Sequence, residues 1–130
     1  HGMKGLTRDD PSLIGFVTSS LWNSAITIEE MRAWCDHMVA KHEVSELPDY
    51  LFELSSFDEP LMKLSRTIGF VPGWRGSKDQ ENALLGIAAK RGHDLYEWPI
   101  PPDKALEALQ RHPEILARFR EVFPFITLAD

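Results

Sequence analysis

Two capping boxes set where helices must begin in this chain. In Thr27-Ile28-Glu29-Glu30 the Thr27 hydroxyl can accept from the Glu30 amide while the Glu30 carboxylate reaches back to the Thr27 amide. Ser77-Lys78-Asp79-Gln80 repeats the pattern. Behind the first box, Met31, Trp34, Cys35, Met38, Val39 and His42 recur at i, i+3, i+4, i+7, i+8 and i+11. That is one face of a helix predicted over about Ile28 to Glu43, with Met31, Trp34, Cys35, Met38 and Val39 mostly buried. Behind the second box stand Ala83, Leu84, Ile87 and Ala88. Lys90-Arg91-Gly92 then stops that helix, with cations at the negative dipole end and glycine for a left-handed cap.

Proline supplies the remaining punctuation. Asp10-Pro11 caps and starts a helix to about Trp22, carrying Leu13, Ile14, Phe16, Val17 and Leu21. Pro48 fits a first turn, and the surrounding segment is predicted helical, with Leu47, Leu51 and Leu54 on one face and Glu46, Asp49 and Glu53 on another. Asp58-Glu59-Pro60 opens a short helix through Leu61, Leu64 and Ile68. Gly69 to Gly76 excludes regular structure. His93 to Pro102 reads as extended. Asp103 caps a helix to Arg111, Pro113 starts another to about Phe123, and Pro124 ends it. Phe125 to Leu128 forms an apolar tail expected to pack back on the core.

Alternating strand-like runs are scarce, and there is no repeat or low-complexity segment. The expected fold is all-α, an irregular bundle of six or seven short helices, one helical domain over residues 1–130. His1-Gly2 read as a cloning remnant ahead of a native start at Met3. At 130 residues such a chain buries roughly two-thirds of its unfolded surface, so no covalent staple is needed. With the single cysteine Cys35, no intramolecular disulfide can form. No apolar run approaches a membrane span, and Met3 to Asp10 is too polar for a signal peptide. The expected compartment is the cytoplasm.

Charge is the second strong signal. Glu43, Glu46, Asp49, Glu53, Asp58 and Glu59 fall within 17 residues that contain no Lys or Arg. Of the chain's 20 acids these six are the excess, since the other 14 balance the 14 bases, so the net charge of −6 belongs to this segment. A one-sign patch attracts cationic partners and repels nucleic acid. The bases are dispersed: Arg111, Arg118 and Arg120 alternate with Glu107, Glu114 and Glu121, and no nucleic-acid fingerprint is present.

Candidate chemistry is sparse. Cys35, Asp36, His37 and His42 are close in sequence, but His37 and His42 are five apart and do not share a helix face, and there is no CxxC or HxxxH pair. No metal or cofactor is expected. Cys35 reads as a core residue and not as a nucleophile, because it lies on the apolar stripe beside Trp34. Gly73-Trp74-Arg75-Gly76 lacks a phosphate-loop pattern. It reads either as a turn with an anchored Trp or as an exposed Trp-Arg pair of the kind enriched at interfaces. Tyr96 and Trp98, in the proline-flanked stretch, admit the same two readings.

Leu21-Trp22-Asn23-Ser24-Ala25-Ile26-Thr27-Ile28-Glu29-Glu30-Met31-Arg32-Ala33-Trp34-Cys35 resembles the opening of small helical bacterial immunity proteins of polymorphic and contact-dependent toxin systems. There an I-T-x-E-E-h-x-x-W-A helix start is followed by a P-x-x-h-x-E-L segment. The matching positions here are Ile26 to Cys35, with cysteine in place of the usual alanine, and Pro48 to Leu54. The helix Asn82-Ala83-Leu84-Leu85-Gly86-Ile87-Ala88-Ala89 is similar too, so the resemblance spans about residues 21–92. It implies a non-enzymatic cytoplasmic protein that binds and neutralises one basic toxin domain.

The expected partner surface is Glu46, Asp49, Tyr50, Glu53, Asp58 and Glu59, joined by Trp74 and Arg75. No nucleic acid or membrane partner is expected. Two other readings stand beside it. One is a small hydrolase with a site around the His93-Asp94 loop and the acids Glu53 and Asp58. The other is a generic protein-interaction domain.

Overall fold

Among the described residues, seven short α-helices make up the regular structure and there is no strand. A computed structural model describes residues 4–128, so the readings of His1-Gly2 and Met3 lie outside the described residues. The helices are α1 (Ser12–Trp22), α2 (Ile28–Lys41), α3 (Tyr50–Leu54), α4 (Leu64–Ile68), α5 (Lys78–Lys90), α6 (Pro102–Arg111) and α7 (Pro113–Val122). Two 3-10 turns, Val44–Glu46 and Leu61–Lys63, precede α3 and α4. The chain is therefore all-α, as its punctuation indicates. It forms two compact units. One is built from residues up to Thr18 together with Thr27–Arg75. The other is built from Ser19–Ile26 and from Gly76 onward.

In the first unit, α2 starts at its capping box. The Glu30 amide donates to Thr27 Oγ1 at 3.1 Å and the Thr27 amide to Glu30 Oε1 at 2.9 Å. Met31, Trp34, Cys35 and Met38 are buried, while Val39, expected among them, is half-buried. The helix ends two residues short of the expected Glu43. His42 turns extended after its amide reaches the Met38 carbonyl. Glu43 cannot continue it, because its own amide is taken by the Glu46 carboxylate at the head of the next turn. Short α3 packs on α2 and on α4. In the same unit, Gly15 makes room for backbone: a Cβ there would stand 2.7 Å from the Gly73 carbonyl oxygen. That close approach carries Trp74 edge-on to Phe16, ring centroids 5.5 Å apart.

In the second unit, α6 lies against α5 with small residues between them. A Cβ on Gly86 would fall 2.3 Å from the Ala105 carbonyl oxygen and 2.8 Å from Leu109 Cβ. Ala83, Ala88, Ala105 and Ala108 are all fully buried. The Ser77 box forms as expected, with the Gln80 amide on Ser77 Oγ at 3.1 Å. Past the end of α5, Arg91 Nη1 donates to the Ala25 carbonyl at 2.7 Å and His93 Nδ1 lies 2.7 Å from the Ser24 carbonyl. A carbonyl only accepts, so that ring nitrogen carries the proton. The start of α6 differs from expectation. Pro101 occupies the cap and Pro102 the first helical position, with Asp103 inside the first turn. Proline's fixed φ starts a helix without needing a side-chain acceptor, and Asp103 faces the positive dipole end. α7 begins at Pro113 as expected, and Phe119 packs on Phe123 with centroids 4.9 Å apart. The tail divides: Ile126 is buried and Phe125 is exposed.

Two substitutions test this packing. Trp34→Ala should cost about 3–5 kcal/mol by urea unfolding, as expected for a fully buried large aromatic. Gly86→Ala, a gain of one methyl group, should destabilise by about 1–3 kcal/mol because the Ala105 backbone stands in the way.

Candidate functional site

The acidic segment is not one helix. Leu47 precedes proline, and Pro48 disfavours helical backbone in the residue before it. Leu47 is accordingly extended, at φ −100° and ψ 139°. The Val44–Glu46 turn ends there, and the chain restarts with the Leu51 amide on the Pro48 carbonyl at 3.2 Å. Glu46 therefore does not share a helical face with Asp49 and Glu53. The burial pattern holds nonetheless: Leu47, Leu51 and Leu54 are buried, and all six acids, Glu43, Glu46, Asp49, Glu53, Asp58 and Glu59, are exposed.

None of the six carboxylates forms an ion pair with a cation among the described residues. The cation that does reach the segment, Arg32 of α2, is directed elsewhere. Its Nε donates to the Phe57 carbonyl at 2.6 Å, and its Nη2 donates to the same oxygen. Glu53, Ser56, Phe57, Asp58, Glu59 and Thr67 line an open depression of about 210 Å³. Apolar side chains stand exposed in the same segment, Val44 and Phe52, and Met62 is exposed three residues past its end. The segment thus offers unpaired negative charge with scattered apolar contacts.

Tyr50 does not belong to this surface. It is buried, and its hydroxyl donates to the Leu6 carbonyl at 2.5 Å while its ring meets Phe70 edge-on at 6.0 Å. Burial pushes the phenol well above its ordinary value, so the group stays neutral and structural. The acidic neighbours suggested an exposed aromatic, but position 50 lies on the same inward face as Leu47, Leu51 and Leu54. Trp74 is half-buried against Phe16, the anchored-turn reading, whereas Arg75 is exposed. Tyr96 is fully exposed and Trp98 half-buried.

The groups considered for catalysis are placed as follows. Cys35 is fully buried, and burial, reinforced by Asp36, pushes its thiol up to about 12. His93 and Asp94 lie in the second unit, and Glu53 and Asp58 in the first. Among the described residues no three His, Cys, Asp or Glu side chains are grouped to hold a metal, and no helix is long and apolar enough to cross a membrane. One charged cluster escapes sequence reading altogether: Asp79, Arg111, His112 and Glu114 converge in the second unit. The residues are more than 30 positions apart at the extremes, and no local pattern links Asp79 to them. Comparison of the chain with protein families, characterised proteins and solved structures finds no match.

A thiol this deeply buried should resist chemistry. Cys35 is expected to stay unlabelled by a disulfide reagent at neutral pH in the native protein and to react stoichiometrically in guanidinium. Rapid native labelling would place it outside the core.

Proposed function

We propose that the chain is a non-enzymatic cytoplasmic inhibitor that binds a basic toxin domain through its acidic segment, in the manner of an immunity protein. The observation that carries the reading is the set of six exposed carboxylates without an ion-pair partner, on a segment that also exposes Val44 and Phe52. A face kept only for solubility would mix signs. Unpaired charge instead raises the local concentration of an oppositely charged partner and speeds its docking. Exposed apolar side chains in the same stretch supply area that can become buried once the partner arrives. The likeness of Ile26 to Cys35 and of Pro48 to Leu54 to the immunity-protein pattern supports the same reading.

The partner surface comprises Glu46, Asp49, Glu53, Asp58 and Glu59, with Glu43 at its edge. Tyr50 supports it from inside. Asp49 can be neutralised without loss of a cap, since its side chain makes no hydrogen bond to the α3 amides.

The test is stopped-flow association with the product of the adjacent gene. Glu46→Gln, Asp49→Asn and Glu53→Gln combined should leave thermal unfolding intact and slow association by roughly tenfold at low salt. The difference should shrink as the screening length falls from ~10 Å at 0.1 M to ~3 Å at 1 M salt. Equal rates at low salt would move the interface to Arg75 or Tyr96. No binding by the neighbouring protein would leave a general interaction domain in place of an immunity protein.

A further inference from the structure

The α5–α6–α7 junction holds a cluster independent of the acidic segment and of the binding reading. His112 sits between the last residue of α6 and the first of α7. Its Nδ1 is 2.8 Å from Glu114 Oε2, and its Nε2 is 2.8 Å from Asp79 Oδ2. Both partners are carboxylate oxygens, which only accept. A neutral imidazole has a single N–H, so its bare nitrogen would face a carboxylate lone pair. Only the imidazolium satisfies both contacts. Asp79 is the second residue of α5 and Glu114 the second of α7, so the ring joins the starts of two helices.

We infer that His112 is a proton-operated latch: charged, it ties the N-terminus of α7 to that of α5, and on losing its proton it releases one of the two. The surrounding groups decide which one. From α6, Arg111 grips Asp79 through Nε at 2.9 Å and Nη2 at 2.8 Å, and Glu107 of the same helix faces Arg111. From α5, neutral Gln80 donates to Glu114 at 3.2 Å. Asp79 therefore keeps a cation, Arg111, whatever the state of His112, whereas Glu114 otherwise has only the Gln80 amide and its own backbone N–H. The single N–H of the neutral ring stays with the carboxylate that lacks a cation, so the contact given up is Nε2 to Asp79, and the start of α7 loses its ring tie to α5.

The electrostatics agree in direction. The hydrogen bond to Glu114, with that to Asp79 behind it, raises His112 above its ordinary value against a smaller desolvation effect. A raised folded value gives stability that is complete below the unfolded value of about 6.5 and is lost as pH rises through the folded one. On the acid side, Arg111 first and His112 second hold Asp79 at about 2. Glu114 is lowered by its own amide and then by His112. Those carboxylates give up their contribution only as pH falls through their depressed values. The latch is closed between these limits and opens toward alkaline pH.

The test is an NMR titration of the histidine Cε1–H signals of the full chain, with amide exchange followed in parallel. His112, assigned by its loss in His112→Gln, should titrate above the ordinary value of about 6.5, and Glu114→Gln should shift its midpoint down. Exchange of the α7 amides, corrected for its intrinsic pH dependence, should rise across the same midpoint in wild type and not in His112→Gln. A His112 midpoint at or below the ordinary value overturns the proposal. So does α7 protection that is unchanged across the titration. Should His112→Gln not fold, the Glu114→Gln shift and the wild-type exchange profile decide the matter alone.

Discussion

Arg32 holds the acidic segment in place through a carbonyl and not through a carboxylate. Its guanidinium converges on the Phe57 oxygen from α2, the helix whose other face buries Met31, Trp34, Cys35 and Met38. A charge-assisted bond of this kind is stronger than a neutral one, and it fixes the turn after α3 to the best-packed helix of its unit. The consequence is electrostatic as much as structural. A cation placed at that turn could have compensated Asp58 or Glu59. Because its donors meet backbone, the surface it supports stays negative.

The two units handle charge in opposite ways. In the second, Asp79 is paired with Arg111 and His112, Glu114 with His112, and Glu107 with Lys104 at 3.3 Å. These exposed pairs are individually weak but share members, so each holds its neighbours in register. In the first unit the six acids of the segment have no such partners. Like charges that repel one another destabilise the compact state. Short elements tolerate this better than a long helix, because Pro48 and the extended Leu47 separate Glu43 and Glu46 from Asp49 and Glu53.

Much of the fold was legible in the sequence because its signals are local. The Thr27 and Ser77 boxes, Pro113 and the Gly92 cap each act within a few residues, and α2, α5 and α7 begin where those residues indicate. Sequence and structure part where two local signals compete. Pro48 fits a first turn and the turn into α3 does begin there, but its effect on Leu47 divides a segment whose pattern suggests one helix. Asp103 has the chemistry of a cap, but Pro101 and Pro102 begin the turn ahead of it. The exposure of the six acids was legible from the leucines opposite them. Tyr50 was misplaced because its acidic neighbours outweighed its place on that leucine face. The His112 cluster had no local trace, since its geometry depends on α6 returning along α5.

That return depends on Gly86. Only a residue without Cβ lets the Ala105 backbone come so near, and it is this closeness that brings Arg111 and His112 back to Asp79 at the opposite end of α5. An exposed ionic cluster would not by itself overcome the entropy of ordering its side chains. Here the apolar contact sets the course of α6 along α5 first, and the charge cluster then governs how firmly the start of α7 is held to α5. The first unit follows the same order of causes. Buried leucines orient the segment, Arg32 anchors its backbone, and the carboxylates, of which only those of Glu43 and Glu46 also serve a local cap, carry no cation and face outward to meet a partner.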